Sequence, residues 1–154
     1  MRISQYAYFS LTSDTVTAAE ITAWLGIEPD VILVRGARDA VQVIPRAHSW
    51  SVRARRDNRP IDEMIAELVR RMTPVTEAIA ALVREMPVQA RLQLVRRFDD
   101  PDGDEDEATT PEMAARGWEK PGGQHHLLGW HLGRQTLDFL EKVRAELDVD
   151  EYGE

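Results

Sequence analysis

Hydrophobic and polar residues alternate along residues 3–12, 48–55 and 88–98. A period of two predicts strands that turn one face toward a core and the other away from it. A short apolar run at 31–34 predicts another strand, and residues 125–132 predict the last one. The inward positions of the three alternating strands are Ile3, Ala7, Phe9, Leu11, His48, Trp50, Val52, Ala54, Val88, Ala90, Leu92 and Leu94.

The segment after the first strand carries the start and stop signals of a helix. Thr17 and Glu20 form a T-x-x-E capping box, which satisfies free N–H groups at a helix start. Gly26 suits the left-handed position that ends a helix, and Pro29 blocks its continuation. The sequence therefore predicts a short helix between these signals.

Two further stretches have apolar residues at helical spacing. Residues 61–86 keep a helical stripe, interrupted at Thr73-Pro74, where we expect a kink or a restart. A second stripe predicts a C-terminal helix that ends in an acidic tail. Its members are Leu137, Leu140, Val143 and Leu147.

The element order is β-α-β-β-α(α)-β-loop-β-α. This order predicts an α+β fold of two layers, a largely antiparallel sheet with helices on one face. A ferredoxin-like core with an added C-terminal strand and helix fits the order. We expect one domain over residues 1–154, with a shared core between helices and sheet. The core residues expected there include Trp24, Trp50, Leu68, Leu92 and Trp130.

Several segments together resemble a known family. They are residues 21–29 (ITAWLGIEP), Arg35-Gly36, Trp50 at the opening of a strand, and residues 147–152 (LDVDEY). This set is similar to the bacterial DUF4279 family, most strongly over residues 6–85. The family name denotes a domain of unknown function, so the resemblance implies a fold and no reaction.

Composition narrows the class of protein. The chain is 43% hydrophobic and 30% charged, which is ordinary for a soluble globular protein. It has no cysteine, which excludes disulfides, thiol nucleophiles and cysteine-bound zinc and favours a cytoplasmic location. The first residues predict no secretory signal, and no apolar run approaches the roughly 20 residues of a membrane span.

An acidic tract at residues 99–107 (DDPDGDEDE) dominates the charge of the chain. The net charge is −8, and the tract alone holds seven carboxylates and no cation. Such a block is typically solvated and open to a cationic partner, so we expect a flexible acidic loop over 99–123. A plain solvated linker is the alternative. The acidic residues are Asp99, Asp100, Asp102, Asp104, Glu105, Asp106 and Glu107.

The candidate chemistry in the chain is sparse. An EF-hand alignment on Gly103 places Phe98 and Thr109 where carboxylates are required, so the tract predicts no calcium site. His125 and His131 would lie about 20 Å apart on one face of a strand, so a metal site with His126 would require a bend at Gly129. No nucleophile elbow and no phosphate-binding lysine loop occurs. We predict no metal, no cofactor and no catalytic residue, although an unrecognised carboxylate or histidine site stays open.

The outer face of the predicted sheet carries the more specific pattern. Tyr6, Tyr8, Arg53, Arg55 and Arg91 are all expected to point away from the helices. Aromatic and arginine side chains on an open sheet are typical of RNA-recognition sheets, but the RNP signature is absent. A homodimer, a protein partner, or cover by the long loop are the alternatives.

One further residue is a candidate for a partner interface. Trp118 lies in the loop, outside every predicted strand and helix, and an exposed tryptophan is a common interface anchor. The negative net charge argues against non-specific nucleic-acid binding.

We therefore predict a small non-enzymatic bacterial protein that binds another protein or itself. The acidic charge of the chain favours a more specific function, an immunity or antitoxin-like inhibitor of a basic partner. Two alternatives stay open, a ligand- or nucleic-acid-binding regulator that uses the Tyr/Arg face, and an enzyme.

Overall fold

The alternating and helical patterns correspond to five strands and four helices in the described residues. The computed structural model describes residues 2–38, 44–99 and 129–153. The strands are β1 (Arg2–Ser13), β2 (Val31–Leu33), β3 (His48–Arg53), β4 (Gln89–Asp99) and β5 (Glu146–Gly153). The helices are α1 (Ala18–Leu25), α2 (Ile61–Met72), α3 (Thr76–Glu85) and α4 (Arg134–Lys142), with a 3₁₀ turn at Thr73–Val75.

The strands form one mixed sheet with β1 at its centre. The spatial order is β2-β3-β1-β4-β5. The pairs β2–β3, β3–β1 and β1–β4 are antiparallel, and only β4–β5 is parallel. The predicted α+β class with a largely antiparallel sheet is confirmed. The ferredoxin-like part of that expectation stays a prediction.

The core lies between one face of the sheet and the helices. Phe9 in β1 stands opposite Val52 of β3 and Leu92 of β4, and all three side chains are buried. The Phe9 ring meets Phe139 of α4 edge to face, with the ring centroids 5.6 Å apart. Helices α1, α3, α4 and α2 contact one another in that order, so they form a single layer on this face. The alternation in the sequence therefore assigned the inward positions of β1, β3 and β4 correctly.

The predicted capping box is present at the start of α1. The Thr17 side-chain oxygen accepts from the Glu20 N–H at 3.3 Å, and the Glu20 carboxylate accepts from the Thr17 N–H at 2.8 Å. Gly26 ends the helix in the left-handed conformation, with φ of 71°. The predicted interruption of the long helical stripe is also confirmed, because the 3₁₀ turn separates α2 from α3.

The prediction that Trp24 is buried was wrong. Its side chain is 42% exposed, whereas Trp50 is fully buried. Trp24 lies at the flank of α1, where its indole N–H donates to the carbonyl of Ala78 in α3 at 3.0 Å. A flanking position suits an amphipathic ring that packs on one side and meets water on the other. Trp130 is half-buried and packs against the margin of the core.

The C-terminal part of the expected order was also wrong. Residues 129–132 form no strand, and residues 125–128 lie outside the described residues. The last strand is instead β5, which includes Leu147 and the acidic residues that were expected to form a tail. Leu147 and Val149 alternate with acids along it, as suits a sheet edge where charges discourage further strand pairing. The element order therefore ends in helix then strand.

The position of Leu92 generates a direct test of this architecture. Leu92 is 1% exposed, and Leu147, its neighbour across the β4–β5 pair, is 38% exposed. We expect Leu92→Ala to lower the free energy of unfolding by about 2–5 kcal/mol, because it leaves a cavity in the core. The matched variant Leu147→Ala should cost about 1 kcal/mol or less. Urea unfolding curves measure both, and equal losses would contradict the assigned core.

Candidate functional site on the outer sheet face

The face of the sheet opposite the helices collects most of the polar residues of the strands. Tyr8 in β1 stands opposite Arg53 of β3 on one side and Gln93 of β4 on the other. Tyr6 lies two residues before Tyr8 and therefore on the same face. The described helices pack on the other side, so this outer face is the larger polar surface formed by regular elements.

Tyr6 and Tyr8 form a stacked pair at the centre of the outer face. Their ring centroids are 6.3 Å apart, and the ring planes differ by 16°. Both side chains are half-buried. Burial raises the pKa of the Tyr8 phenol, Tyr6 raises it further, and nearby Arg53 opposes the rise. Tyr8 therefore keeps its proton at neutral pH and can donate a hydrogen bond to a bound group.

Arg91 lies on the outer face as expected, but acids of β5 surround it. Its guanidinium is 3.3 Å from the Glu146 carboxylate and 3.5 Å from that of Asp148. Beside it, buried Gln93 donates to Asp150 at 3.0 Å. These contacts neutralise Arg91 and leave the part of the outer face next to β5 acidic.

Arg53 occupies a corner of the sheet where β3 extends past the end of β2. Because β2 pairs only with residues 49–51, the Arg53 N–H has no strand partner on that side. The Asp30 carboxylate accepts from this N–H at 2.7 Å. Asp30 also receives two hydrogen bonds from the guanidinium of Arg71 in α2. The corner is thus closed by a carboxylate from before β2 and an arginine from the helix layer.

Arg55 departs from its expected place on the strand face. Strand β3 ends at Arg53, and the Arg55 N–H donates to the Glu67 carboxylate of α2 at 2.9 Å. The other oxygen of that carboxylate pairs with Arg59. The backbone at residue 55 is therefore drawn toward α2, so Arg55 belongs to the corner and not to the row of Tyr6 and Tyr8.

The corner forms an open depression of about 350 Å³, lined by Asp30, Arg53, Ala54, Arg55 and Arg71. The Arg71 hydrogen bonds lower the pKa of Asp30 against the opposing effect of burial, and the Arg53 N–H lowers it further. This donor set holds Asp30 in its ionised form. Within the described parts of the chain, neither the Arg53 nor the Arg55 guanidinium bonds to a carboxylate.

The remaining sequence candidates fall largely outside the described residues. Asp99 is the last residue of β4, opposite Arg2, so the tract begins inside a strand and not in a loop. Asp100, Asp102, Asp104, Glu105, Asp106, Glu107 and Trp118 lie outside the described residues. Their role in binding stays a prediction.

Of the three histidines considered as metal ligands, only His131 lies within the described residues. His131 is exposed, with Nδ1 3.5 Å from a carboxylate oxygen of Asp62 in α2. Over residues 2–38, 44–99 and 129–153, no group of three or more His, Asp or Glu side chains could hold a metal ion. His125 and His126 lie outside those ranges.

Sequence reasoning missed Asp30, Glu67 and Arg71 as members of the corner. Asp30 and Arg71 are 41 residues apart, and neither position belongs to a local motif. A second depression of about 640 Å³ was missed as well, between the end of β1 and the α3–β4 turn. Its polar lining includes Ser13, whose hydroxyl already accepts from the Val16 N–H at 2.9 Å.

These observations define an α+β domain with a helix layer on one sheet face and a polar outer face on the other. Residues 3–154 match the family model described as a domain of unknown function, DUF4279. The chain therefore belongs to the DUF4279 family, as the sequence resemblance predicted. Searches of curated proteins and of solved structures found no match.

Among the described helices, none is both long enough and apolar enough to span a bilayer.

The Asp30–Arg71 pair predicts a pH dependence of stability. The pKa of Asp30 is lowered on folding, so its contribution is complete above the usual aspartate pKa of about 4 and disappears as pH falls through the lowered value. We expect Asp30→Asn to be less stable than the wild type at pH 7, with the difference shrinking below about pH 4. Urea unfolding at a series of pH values measures it.

Asp57→Asn is the matched control for this prediction, since Asp57 is exposed and has no ion pair within the described part of the chain. It should stay close to the wild type throughout. A loss in Asp30→Asn that is the same at pH 7 and at pH 3 would contradict an ionic role for Asp30.

Proposed function

We propose that this protein is a non-enzymatic binding protein that captures a protein partner on the outer sheet face. The observation that carries the proposal is the stacked Tyr6–Tyr8 pair beside Arg53, on the face opposite the helices. Tyrosine and arginine are enriched among the residues that dominate binding energy at interfaces. A stacked tyrosine pair also loses little side-chain entropy on binding, because its rings are already ordered.

The dimensions of the outer face support a protein partner. Strands β1 and β4 span 12 and 11 residues, and five strands lie side by side. At the usual spacings, the patch measures about 20 Å by 30 Å, or on the order of 600 Å². A standard interface buries roughly 800 Å² per partner. Because Ser10, Ser51, Gln93 and Val95 on this face are already buried, the face would supply part of such an interface.

The more specific form of the proposal is an immunity or antitoxin-like inhibitor in the bacterial cytoplasm. Seven of the carboxylates behind the net charge of −8 lie in residues 99–107. Such a block accelerates encounter with a cationic partner, whereas the aromatic face would supply most of the affinity. The two features would then act at different stages of the same association.

A second candidate function uses the same residues. Stacked aromatic rings next to Arg53, whose side chain forms no ion pair within the described residues, can bind nucleotide bases, which favours a ligand- or nucleic-acid-binding regulator. The acids of β5 weigh against a long nucleic acid, because Glu146, Asp148 and Asp150 lie along the same face. A small ligand at the Arg53 side would avoid them.

The first test removes the tyrosine pair. Tyr6→Ala with Tyr8→Ala should abolish capture of the native partner, measured by affinity purification from the host and by light scattering for self-association. The variant should lose only about 1–2 kcal/mol of stability, because both rings are half-buried and stack chiefly on each other. Trp24→Ala is the control, since it truncates an exposed aromatic side chain in the helix layer.

Unchanged capture by the double tyrosine variant would exclude this face as the interface. A loss of several kcal/mol would identify the two tyrosines as core residues instead.

The second test concerns the acidic tract. Replacing residues 100–107 with a neutral Gly/Ser linker should leave the melting temperature close to the wild type, since exposed charges contribute little to folding. Association with a basic partner should slow and lose much of its salt dependence, with a smaller change in dissociation. Surface plasmon resonance at two ionic strengths measures this. Equal association rates for both forms at low salt would refute the steering role.

A further inference from the structure

The corner at the end of β3 combines a depression with two arginines, Arg53 and Arg55, whose side chains form no ion pair within the described residues. Asp30 and Glu67 each accept one backbone N–H of the β3 end, from Arg53 and Arg55 respectively. Each carboxylate also pairs with an arginine, Arg71 or Arg59. The two acids therefore fix the backbone conformation of residues 53–55.

In this arrangement every oxygen of the two carboxylates accepts at least one hydrogen bond. The two oxygens of Asp30 accept from the Arg71 guanidinium and the Arg53 N–H, and those of Glu67 accept from the Arg55 N–H and Arg59. Asp30 and Glu67 attract the Arg55 guanidinium at a distance, but neither acid forms an ion pair with the Arg53 or Arg55 side chain within the described residues. Arg53 and Arg55 line the same depression as Arg71.

The local charge indicates what the depression would bind. The corner has a local net charge of +2, from four arginines and two carboxylates. They are Arg53, Arg55, Arg59, Arg71, Asp30 and Glu67. Guanidinium groups match the oxygens of carboxylates and phosphates with paired hydrogen bonds. A carboxylate would offset one charge, whereas a phosphate monoester carries about −1.5 to −2 at pH 7. The phosphate monoester is therefore the better match in charge.

We propose that the depression at the β3 corner binds a phosphate monoester through Arg53 and Arg55, with Arg71 as a fixed third arginine. Asp30 lines the same depression and stays ionised, but the Arg71 guanidinium and the Arg53 N–H offset its repulsion of an anionic ligand. The volume of about 350 Å³ is at the lower end for small-molecule sites. It suits a phosphate group with part of the molecule that carries it.

The site overlaps the proposed protein interface only at Arg53, since Arg55 and Arg71 lie off the row of tyrosines. Binding of inorganic phosphate therefore tests the corner by itself, whether or not a protein partner binds the outer face.

The experiment is an NMR titration of the full chain at constant ionic strength, observing the arginine Nε–H signals. The probes are inorganic phosphate, adenosine monophosphate, O-phosphoserine and, as the carboxylate control, acetate. We expect saturable shifts at Arg53 and Arg55 with all three phosphates and much weaker binding of acetate. Tighter binding of the nucleotide would indicate a nucleotide ligand, and tighter binding of phosphoserine would indicate a phosphorylated protein segment.

Substitution completes the test. Arg53→Gln and Arg55→Gln should each weaken phosphate binding about tenfold, as expected for loss of a charge-assisted hydrogen bond. The matched control is Arg91→Gln, which removes the same charge from an arginine already paired with Glu146 and Asp148. It should change the affinity less than twofold, and Tyr6→Ala with Tyr8→Ala should still bind inorganic phosphate.

Three results would overturn the proposal. One is the absence of saturable shifts at millimolar phosphate, and another is acetate binding as tightly as phosphate. The third is an equal loss of affinity in Arg91→Gln and Arg55→Gln, which would reduce the effect to overall charge. Melting temperatures of all variants separate loss of binding from loss of fold. We expect both substitutions to fold normally, because neither the Arg53 nor the Arg55 side chain forms a hydrogen bond or ion pair within the described residues.

Discussion

The two-residue alternation of β1 is the constraint on which the rest of the structure depends. This central strand pairs with β3 on one side and β4 on the other. Phe9 faces the helices and is buried, while Tyr8 faces the opposite side. A shift of the strand register by one residue would place Tyr8 in the core and Phe9 on the surface. The register must therefore be the same in the pairings of β1 with β3 and with β4. The hydrophobic core and the candidate binding face are therefore two results of one pairing geometry.

The end of β3 shows how a backbone requirement can create a charged surface. Because β2 is shorter than β3, backbone donors at residues 53 and 55 need acceptors from outside the sheet. Asp30 and Glu67 supply them, and each acid also binds an arginine of its own. Asp30 and Glu67 are thus used to satisfy the backbone. Within the described residues neither acid forms an ion pair with the Arg53 or Arg55 side chain, which leaves the corner positively charged.

Much of this fold could be predicted from local sequence signals. The features that could not be predicted depend on contacts between residues far apart in the sequence. The capping box at Thr17 acts within one helical turn, and the hydrophobic–polar alternation of a strand involves only neighbouring residues. Both signals could therefore be recognised in the sequence. Leu147 fits a helical stripe equally well, and its place in β5 depends on a parallel partner more than 50 residues away. Trp24 has the spacing of a core residue, yet its exposure depends on how α3 lies beside α1. The Asp30–Arg71 contact likewise spans 41 residues without a motif.

The late strand β5 also determines how charge is distributed over the outer face. From the sequence, Arg53 and Arg91 appear equivalent, because each occupies an outward position on a strand. Strand β5 brings Glu146 and Asp148 to Arg91 and neutralises it, whereas no acid of the described residues pairs with the Arg53 side chain. The face therefore has an acidic edge at β5, an aromatic centre and a cationic corner. A ligand or partner that spans this face should place its anionic groups toward Arg53 and its cationic groups toward β5, because the reverse orientation would bring like charges together.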